Sequence, residues 1–167
     1  EWSYSQKREW ENLVTIWHLR ADHCDDYNEK IDHLLRIGSV REEIFNDDAG
    51  AIDVYQRILE VEPENVQATL TLERLLHKTG NFEELAGLYS KQVDYVSEDS
   101  VRVALLNRMG QVLERELRRP EDAYEAYRRA LEINPEDLAC RRALESMLRE
   151  LPNDSENQET RYQIASL

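Results

Sequence analysis

Residues 37–76 read IGSVREEIFNDDAGAIDVYQRILEVEPENVQATLTLERLL, and residues 109–148 read MGQVLERELRRPEDAYEAYRRALEINPEDLACRRALESML. The two stretches align without a gap at a separation of 72 residues, and 13 of the 40 positions are identical, well above what average composition produces by chance. The same separation extends upstream. We therefore predict that residues 9–80 and 81–152 are two copies of one double repeat. The identical positions include the pairs Gly38/Gly110, Glu42/Glu114, Tyr55/Tyr127, Leu72/Leu144, Glu73/Glu145 and Leu76/Leu148.

A finer repeat lies inside each copy. A small or apolar residue is followed four positions later by an aromatic one, and successive pairs start 38, 34 and 38 residues apart. Residues four apart share one face of a helix, so the aromatic side chain is expected to fill the space beside a close helix contact. A period of 34 to 38 residues predicts a solenoid of helical hairpins. The pairs are Leu13/Trp17, Ala51/Tyr55, Leu85/Tyr89 and Ala123/Tyr127.

These spacings resemble the tetratricopeptide repeat (TPR) family. Each copy has an apolar-x2-apolar-Gly motif, an Ala-x3-Tyr motif and a proline twelve residues after the Ala, as in the family pattern. The spacing from Gly to Ala is thirteen residues, one more than is usual in the family. This implies one inserted residue in the turn at 46–48 and another in the turn at 118–120. The resemblance implies an all-α, right-handed α-solenoid of about four antiparallel hairpins that forms a single domain over residues 1–167. Residues 153–167 are predicted to be a loop and a capping helix.

The pattern of caps and breakers predicts where the helices begin and end. Asn65 and Asp137 follow Pro63 and Pro135 and can cap the next helix with a side-chain oxygen. Gly80 is placed as a left-handed C-cap and Pro120 as a first helical residue. The predicted helices span residues 8–23, 28–45, 49–61, 65–78, 82–95, 100–118, 121–133 and 137–150, with a ninth at 155–165.

The composition argues against several function classes. The chain carries 35 Asp and Glu against 21 Lys and Arg, a net charge of −14, with only five Gly and four Pro. Negative charge repels a phosphate backbone and an anionic membrane, so we expect neither a nucleic-acid nor a membrane partner. Two cysteines favour a reducing compartment such as the cytoplasm. The chain does not start at a methionine, and we expect it to be a piece of a longer or processed protein.

No candidate catalytic or metal-binding motif is convincing. His18, Asp22, His23, Cys24, Asp25 and Asp26 lie close together, but no second pair of ligands stands at the spacing of a zinc site. Cys140 aligns with Ala68, which predicts a buried, inert thiol. Phosphate-binding and nucleophile motifs are missing from the sequence. We therefore expect no metal, no cofactor and no enzymatic activity.

The family resemblance implies that the first helix of each hairpin lines a concave groove. Transferred position by position, it yields twelve candidate groove residues: Arg36, Ser39, Glu43, Arg74, His77, Lys78, Asn107, Arg108, Gln111, Arg115, Arg142 and Arg149. Asp32, Leu35, Gln67, Leu70, Thr71 and Ser146 hold the remaining groove positions. One subclass of the family grips a terminal carboxylate with an Asn directly after the repeat Gly. Ser39 and Gln111 stand there, so that clamp is not expected.

Two interpretations of the groove arginines and lysines remain open. They either offer a positive or mixed surface to an acidic segment, or pair with the many Glu on adjacent turns. The acidic clusters are expected to be solvated, the alternative being a docking surface for a basic partner. Three functions remain: a non-catalytic protein-interaction scaffold, a spacer in a longer solenoid, and a regulatory domain of an enzyme. Trp10 and Trp17 are predicted core residues, Trp2 is expected to pack on a preceding repeat, and exposed solenoid ends suggest a homodimer.

Overall fold

A computed structural model of the chain describes residues 4–150 together with 158, 161 and 162. Throughout these residues the regular structure is helical, which confirms the all-α prediction. Two compact units, Glu1–Gly80 and Asn81–Leu167, divide the chain at the residue where the second sequence copy begins. The helices are α1 (Tyr4–His23), α2 (Tyr27–Glu43), α3 (Asp48–Val61), α4 (Val66–Thr79), α5 (Phe82–Tyr95), α6 (Asp99–Arg115), α7 (Pro120–Ile133) and α8 (Leu138–Glu150).

The predicted helix bounds agree with the structure to within two residues except at three places. Helix α1 begins at Tyr4, four residues earlier than predicted, and α6 ends at Arg115, three residues earlier. Helix α6 ends early because Leu117 N–H bonds back to the Val112 carbonyl and the chain then leaves the helix. The predicted ninth helix lies almost wholly outside the described residues, of which Gln158, Arg161 and Tyr162 are helical. Trp2 also lies outside them.

In the first unit, α1 to α4 pack in chain order as antiparallel hairpins. Their starts are set by polar caps: Asp26, Asp47 and Asn65 each accept a hydrogen bond from a backbone N–H at the start of the helix that follows. Gly80 ends α4 with φ 73°, the left-handed C-cap that the sequence predicted. Apolar side chains that recur every three or four residues along these helices form the core of this unit.

In the second unit, α5 to α8 pack in the same order. Asp137 accepts a hydrogen bond of 2.8 Å from Cys140 N–H at the start of α8, and this bond holds the pKa of Asp137 below its usual range. Pro120 is the first residue of α7, as predicted. Cys140 is completely buried, and burial raises the pKa of its thiol to about 12, which fits the prediction of an inert side chain.

The glycine of each copy lies directly against a tyrosine ring of the next helix. A Cβ atom added to Gly38 on α2 would lie 2.8 Å from the Tyr55 ring on α3, and one added to Gly110 on α6 would lie 2.5 Å from the Tyr127 ring on α7. The two tyrosines are buried. The prediction that an aromatic side chain fills the space beside a small helical residue is therefore confirmed in both units.

The turns predicted to hold an inserted residue have the same backbone in both copies. Asn46 and Arg118 have φ values of 51° and 55°, in the left-handed region that L-residues rarely adopt. The N–H groups one residue later bond to matching carbonyls at 2.8 Å, in the pairs Asp47 to Arg41 and Arg119 to Leu113. The side chains differ: Asp47 caps α3, whereas Arg119 bonds to Asp122 and Glu83 instead.

Helix α1 departs from the predicted core. Trp10 and Trp17 are only half-buried, so the prediction that both are core residues is wrong for the described structure. Val14 and Ala21 are buried on the side that packs against α2.

Candidate functional site

The predicted groove positions of the first unit lie on α2 and α4, and ion pairs link α4 to α2 and to the start of α3. Arg74 on α4 donates to Glu42 on α2 at 2.6 Å, and Lys78 reaches Asp48 at the start of α3 at 2.8 Å. The cations are more than half exposed, whereas the two carboxylates are mostly buried. Arg74 and Lys78 are thus locally neutralised, as the second interpretation of the basic residues predicts.

The other first-unit candidates differ in how free they are to meet a partner. Ser39 hydrogen bonds to the buried Tyr55 hydroxyl, which opposes the rise in the Tyr55 pKa that burial causes. Arg36, Glu43 and His77 are exposed. Among the described residues, Arg36 forms no ion pair. Of the candidate arginines in this unit, Arg74 is paired with a carboxylate, whereas Arg36 has no acidic partner among the described residues.

In the second unit the groove positions lie on α6 and α8. Asn107 on α6 donates to the Asp137 carboxylate at 3.4 Å, and Arg149 lies 3.8 Å from Glu145 on its own helix. The remaining candidates are exposed, namely Arg108, Gln111, Arg115 and Arg142. Within the described part of the chain, neither Arg115 nor Arg142 forms an ion pair. The polar contacts of α6 and α8 therefore differ from those of α2 and α4.

One exchange between the copies explains this difference. Arg74, which holds Glu42 in the first unit, is replaced at the aligned position by Ser146. Glu114, which aligns with Glu42, accepts a hydrogen bond of 3.0 Å from the Tyr127 hydroxyl. Burial and the negative charge of Glu114 both raise the pKa of Tyr127. The same glutamate thus binds an arginine in one copy and a buried phenol in the other.

The acidic partners of the cations at the predicted groove positions are not evident from the sequence. Glu42 and Asp48 are not among the predicted groove residues, although Glu42 is one of the positions that are identical in both copies. That identity was the available signal. The pairing itself depends on how α4 lies beside α2 and α3, which sequence spacing does not contain. The structure also shows that Val66 and Leu70, one turn apart on α4, are exposed.

The side chains around His18 make contacts with other protein groups. Arg57 on α3 donates to Asp22 at 2.7 Å and lies 3.4 Å from His18, so a cationic side chain occupies the space between them. Arg57 and burial lower the pKa of His18. Cys24 is hydrogen bonded to the Asp26 carbonyl and to Glu29. In the residues that the structure describes, no three potential ligands are grouped to hold an ion.

None of the described helices combines the length and apolar character that a bilayer crossing requires. No protein-family model matches the chain, and no curated protein sequence matches it. Among solved structures it is similar to MamA 41-end from Desulfovibrio magneticus RS-1, with 13% identity over 92% of each chain and a TM-score of 0.46. A crystal structure of MamA matches at 15% identity over 99% of this chain and 91% of that chain, with a TM-score of 0.49.

Proposed function

We propose that this chain is a degenerate TPR-family member that acts as a non-catalytic protein-interaction scaffold. The groove-facing sides of α2 and α4, and of α6 and α8, bind an extended peptide or protein segment. The binding side chains stand on helices that are already packed. The scaffold therefore loses little conformational entropy when the partner binds.

The observation that carries this proposal is the set of arginines that have no acidic partner among the described residues. Arg36, Arg115 and Arg142 are exposed at groove positions of a chain with a net charge of −14. Arg74 and Lys78 are already neutralised by carboxylates and contribute less. The free guanidinium groups favour an acidic partner, since arginine binds carboxylates through paired hydrogen bonds.

Apolar side chains at the same surface add a second element of recognition. Leu70 is 58% exposed at a groove position of α4, one turn before Arg74, and Val66 precedes it by one further turn. Exposed apolar side chains gain free energy when a partner covers them. The preferred segment therefore combines Asp or Glu with an apolar residue.

Selection from a displayed library of random linear peptides tests the proposal. We expect the selected peptides to be rich in Asp and Glu and to carry an apolar residue. A variant with Arg36→Glu, Arg115→Glu and Arg142→Glu should lose binding of these peptides by ~10-fold or more, because three attractive charges become repulsive. Fluorescence anisotropy with one selected peptide measures the loss.

Each of the three arginine reversals is also made alone, and Lys91→Glu is the matched control for these single variants. Lys91 is an exposed cation on α5, where no predicted groove position lies. Binding that survives the triple reversal, or that Lys91→Glu weakens as strongly as Arg36→Glu does, would contradict the groove assignment. A library that yields no acidic peptides would favour the alternative roles of spacer or regulatory domain.

We further propose that the chain associates with a second copy of itself. Leu13, Ile16 and Leu19 on α1 are exposed together, and exposed apolar side chains grouped on one helix favour association. Sedimentation velocity over a range of concentrations tests for this association.

A further inference from the structure

One arginine side chain joins the first and third helices of the first unit. Arg57 on α3 donates to the Asp22 carboxylate on α1 at 2.7 Å, and its guanidinium group lies 3.4 Å from Nδ1 of His18, one turn earlier on α1. His18 and Arg57 are both half-buried. These three residues are called the His18 cluster below. They attach α1 to α3 through polar bonds, in addition to the packing of α1 on α2.

The contact between His18 and Arg57 requires a neutral imidazole ring. A guanidinium group carries N–H donors and no acceptor, so Nδ1 of His18 has to accept the hydrogen bond. A neutral imidazole has one acceptor nitrogen, whereas both ring nitrogens of a protonated imidazole are donors. The contact therefore exists only while His18 is neutral, with the ring proton on Nε2.

The groups that face His18 oppose a positive charge on its ring. Arg57 faces it from α3 and Arg41 from α2, and Asp22 on its own helix acts in the opposite direction. Arg41 is itself held by Asp47 at 2.6 Å. Partial burial is the largest cause and the two arginines add to it, and together they lower the pKa of His18 below its ordinary value.

The second unit provides an internal comparison. Ser90 on α5 stands at the position of His18, whereas the other two positions of the His18 cluster keep their residue types as Asp94 and Arg129. In the described residues of the second unit, no hydrogen bond or ion pair joins Asp94 to Arg129. The histidine and the bonds around it are therefore features of the first unit, although both copies carry the two charged residues.

We propose that His18 attaches α1 to α3 in a manner sensitive to acid, and that protonation of its ring loosens α1 from the first unit. The added proton turns an accepted hydrogen bond into a contact between two N–H donors and places a cation beside Arg57. This inference goes beyond the scaffold function. It depends neither on peptide binding in the groove nor on self-association.

The direction of the pH dependence follows from proton linkage. When α1 opens, His18 enters water and its pKa returns to the ordinary value of 6.5, so the open form binds the proton at a higher pH than the closed form. The opening constant of α1 is therefore flat well above pH 6.5 and rises as the pH falls through that value. For one proton the rise is at most ~10-fold per pH unit, and it stops once the closed form is protonated too.

Hydrogen exchange of the whole chain between pH 7.5 and pH 5.5 tests the proposal. Ordinary carboxyl groups, with pKa values near ~4, stay ionised over this range. Exchange rates divided by the intrinsic rate at each pH give the opening constant of each segment. We expect the opening constant of α1 to rise ~3-fold or more towards pH 5.5. That of α5, with Ser90 at the aligned position, should stay constant.

Three variants test which side chains cause the rise. His18→Asn keeps an acceptor near the place of Nδ1 but does not titrate, so α1 opening should become independent of pH. Arg57→Gln keeps a donor without the charge, and the rise should become smaller but persist, because burial and Arg41 remain. His23→Asn is the matched control. His23 is exposed on α1 and bonded to the Leu19 carbonyl, so this variant should keep the full rise.

His33 on α2 requires a control of its own. It is 6% exposed, and neither ring nitrogen has a hydrogen-bond partner among the described residues. Its Nε2 lies 3.8 Å from the Glu29 carboxylate. His33→Leu introduces the residue of the aligned position, Leu105, and should leave the rise in α1 opening unchanged. Circular dichroism melts check that all four variants fold.

Several results would overturn the proposal. One is a wild-type α1 whose opening constant does not change between pH 7.5 and pH 5.5. Another is a His18→Asn chain that keeps the wild-type rise. A rise that disappears in His33→Leu or His23→Asn would assign the response to a different histidine. An equal rise in α5 would show a general response of the chain to acid rather than a property of the His18 cluster.

Discussion

Two glycines determine how closely helices approach in each unit. Gly38 and Gly110 have no side chain, and the rings of Tyr55 and Tyr127 occupy the space that a Cβ would fill. A glycine inside a helix costs about 1 kcal/mol relative to alanine, so packing of the aromatic ring must offset that cost. A glycine inside a helix therefore lowers stability where nothing packs on it, and is tolerated where an aromatic ring occupies the space of its missing side chain.

Gly110→Ala should lower the free energy of unfolding by ~1–3 kcal/mol, because the Tyr127 ring is buried and has to shift. Gly87→Ala is the matched control. Gly87 lies inside α5 with open space where its Cβ would be, so alanine should raise stability by ~0.5–1 kcal/mol. Urea denaturation followed by circular dichroism measures both changes. Equal effects of the two substitutions would contradict this account of the contact.

At this scale the sequence predicted apolar contacts better than polar ones. The packing of Tyr55 and Tyr127 at a helix contact could be predicted because the Ala-x3-Tyr motif occurs in both copies at constant spacing. The partner of Glu42 could not, because Arg74 holds it in one unit whereas Tyr127 binds the aligned Glu114 in the other. A long polar side chain has several acceptors within reach, and local helix placement selects among them.

At the scale of the elements, helix ends follow rules that sequence carries well. Asn65, Asp137, Gly80 and Pro120 act as the caps and breakers that their positions predict. The end of α6 was predicted too late, because the residues that follow it are also good helix formers. The tertiary turn ends the helix by placing Arg118 in the left-handed region, a cost that local propensity does not reveal.

Arg118→Gly should raise the free energy of unfolding by ~0.5–1 kcal/mol, since glycine adopts φ 55° without the steric cost of a Cβ. Arg118 is exposed, so few packing contacts are lost. Asn46→Gly at the aligned turn should change stability by less than ~0.5 kcal/mol, because asparagine already tolerates this conformation. Thermal melts of both variants test the difference. A destabilised Arg118→Gly chain would show that the arginine side chain contributes more than its backbone costs.

At the scale of the whole molecule, charge is the dominant property. A net charge of −14 produces repulsion that salt bridges on the surface do not balance, because acidic residues outnumber basic ones by 35 to 21. Exposed ion pairs such as that of Arg119 with Glu83 are worth little and weaken with salt. Screening of the net repulsion should therefore outweigh the loss of these pairs.

We expect the melting temperature to rise by ~2–4 °C, equivalent to ~1 kcal/mol, as sodium chloride increases from low millimolar levels to ~0.2 M. Calorimetry at low protein concentration, where self-association contributes little, checks this. A melting temperature that falls over this range would mean that the surface ion pairs, rather than net repulsion, dominate the response to salt.

The sequence by itself determined the helical architecture, the 72-residue copy, the packing role of Tyr55 and Tyr127 and most helix ends, because these depend on local propensity and on patterns that occur twice. The tertiary structure decided which groove cations are neutralised and how far Leu13, Ile16 and Trp17 are covered. Burial and ion pairing depend on which surfaces face each other, and the spacing of residues along one chain does not encode this.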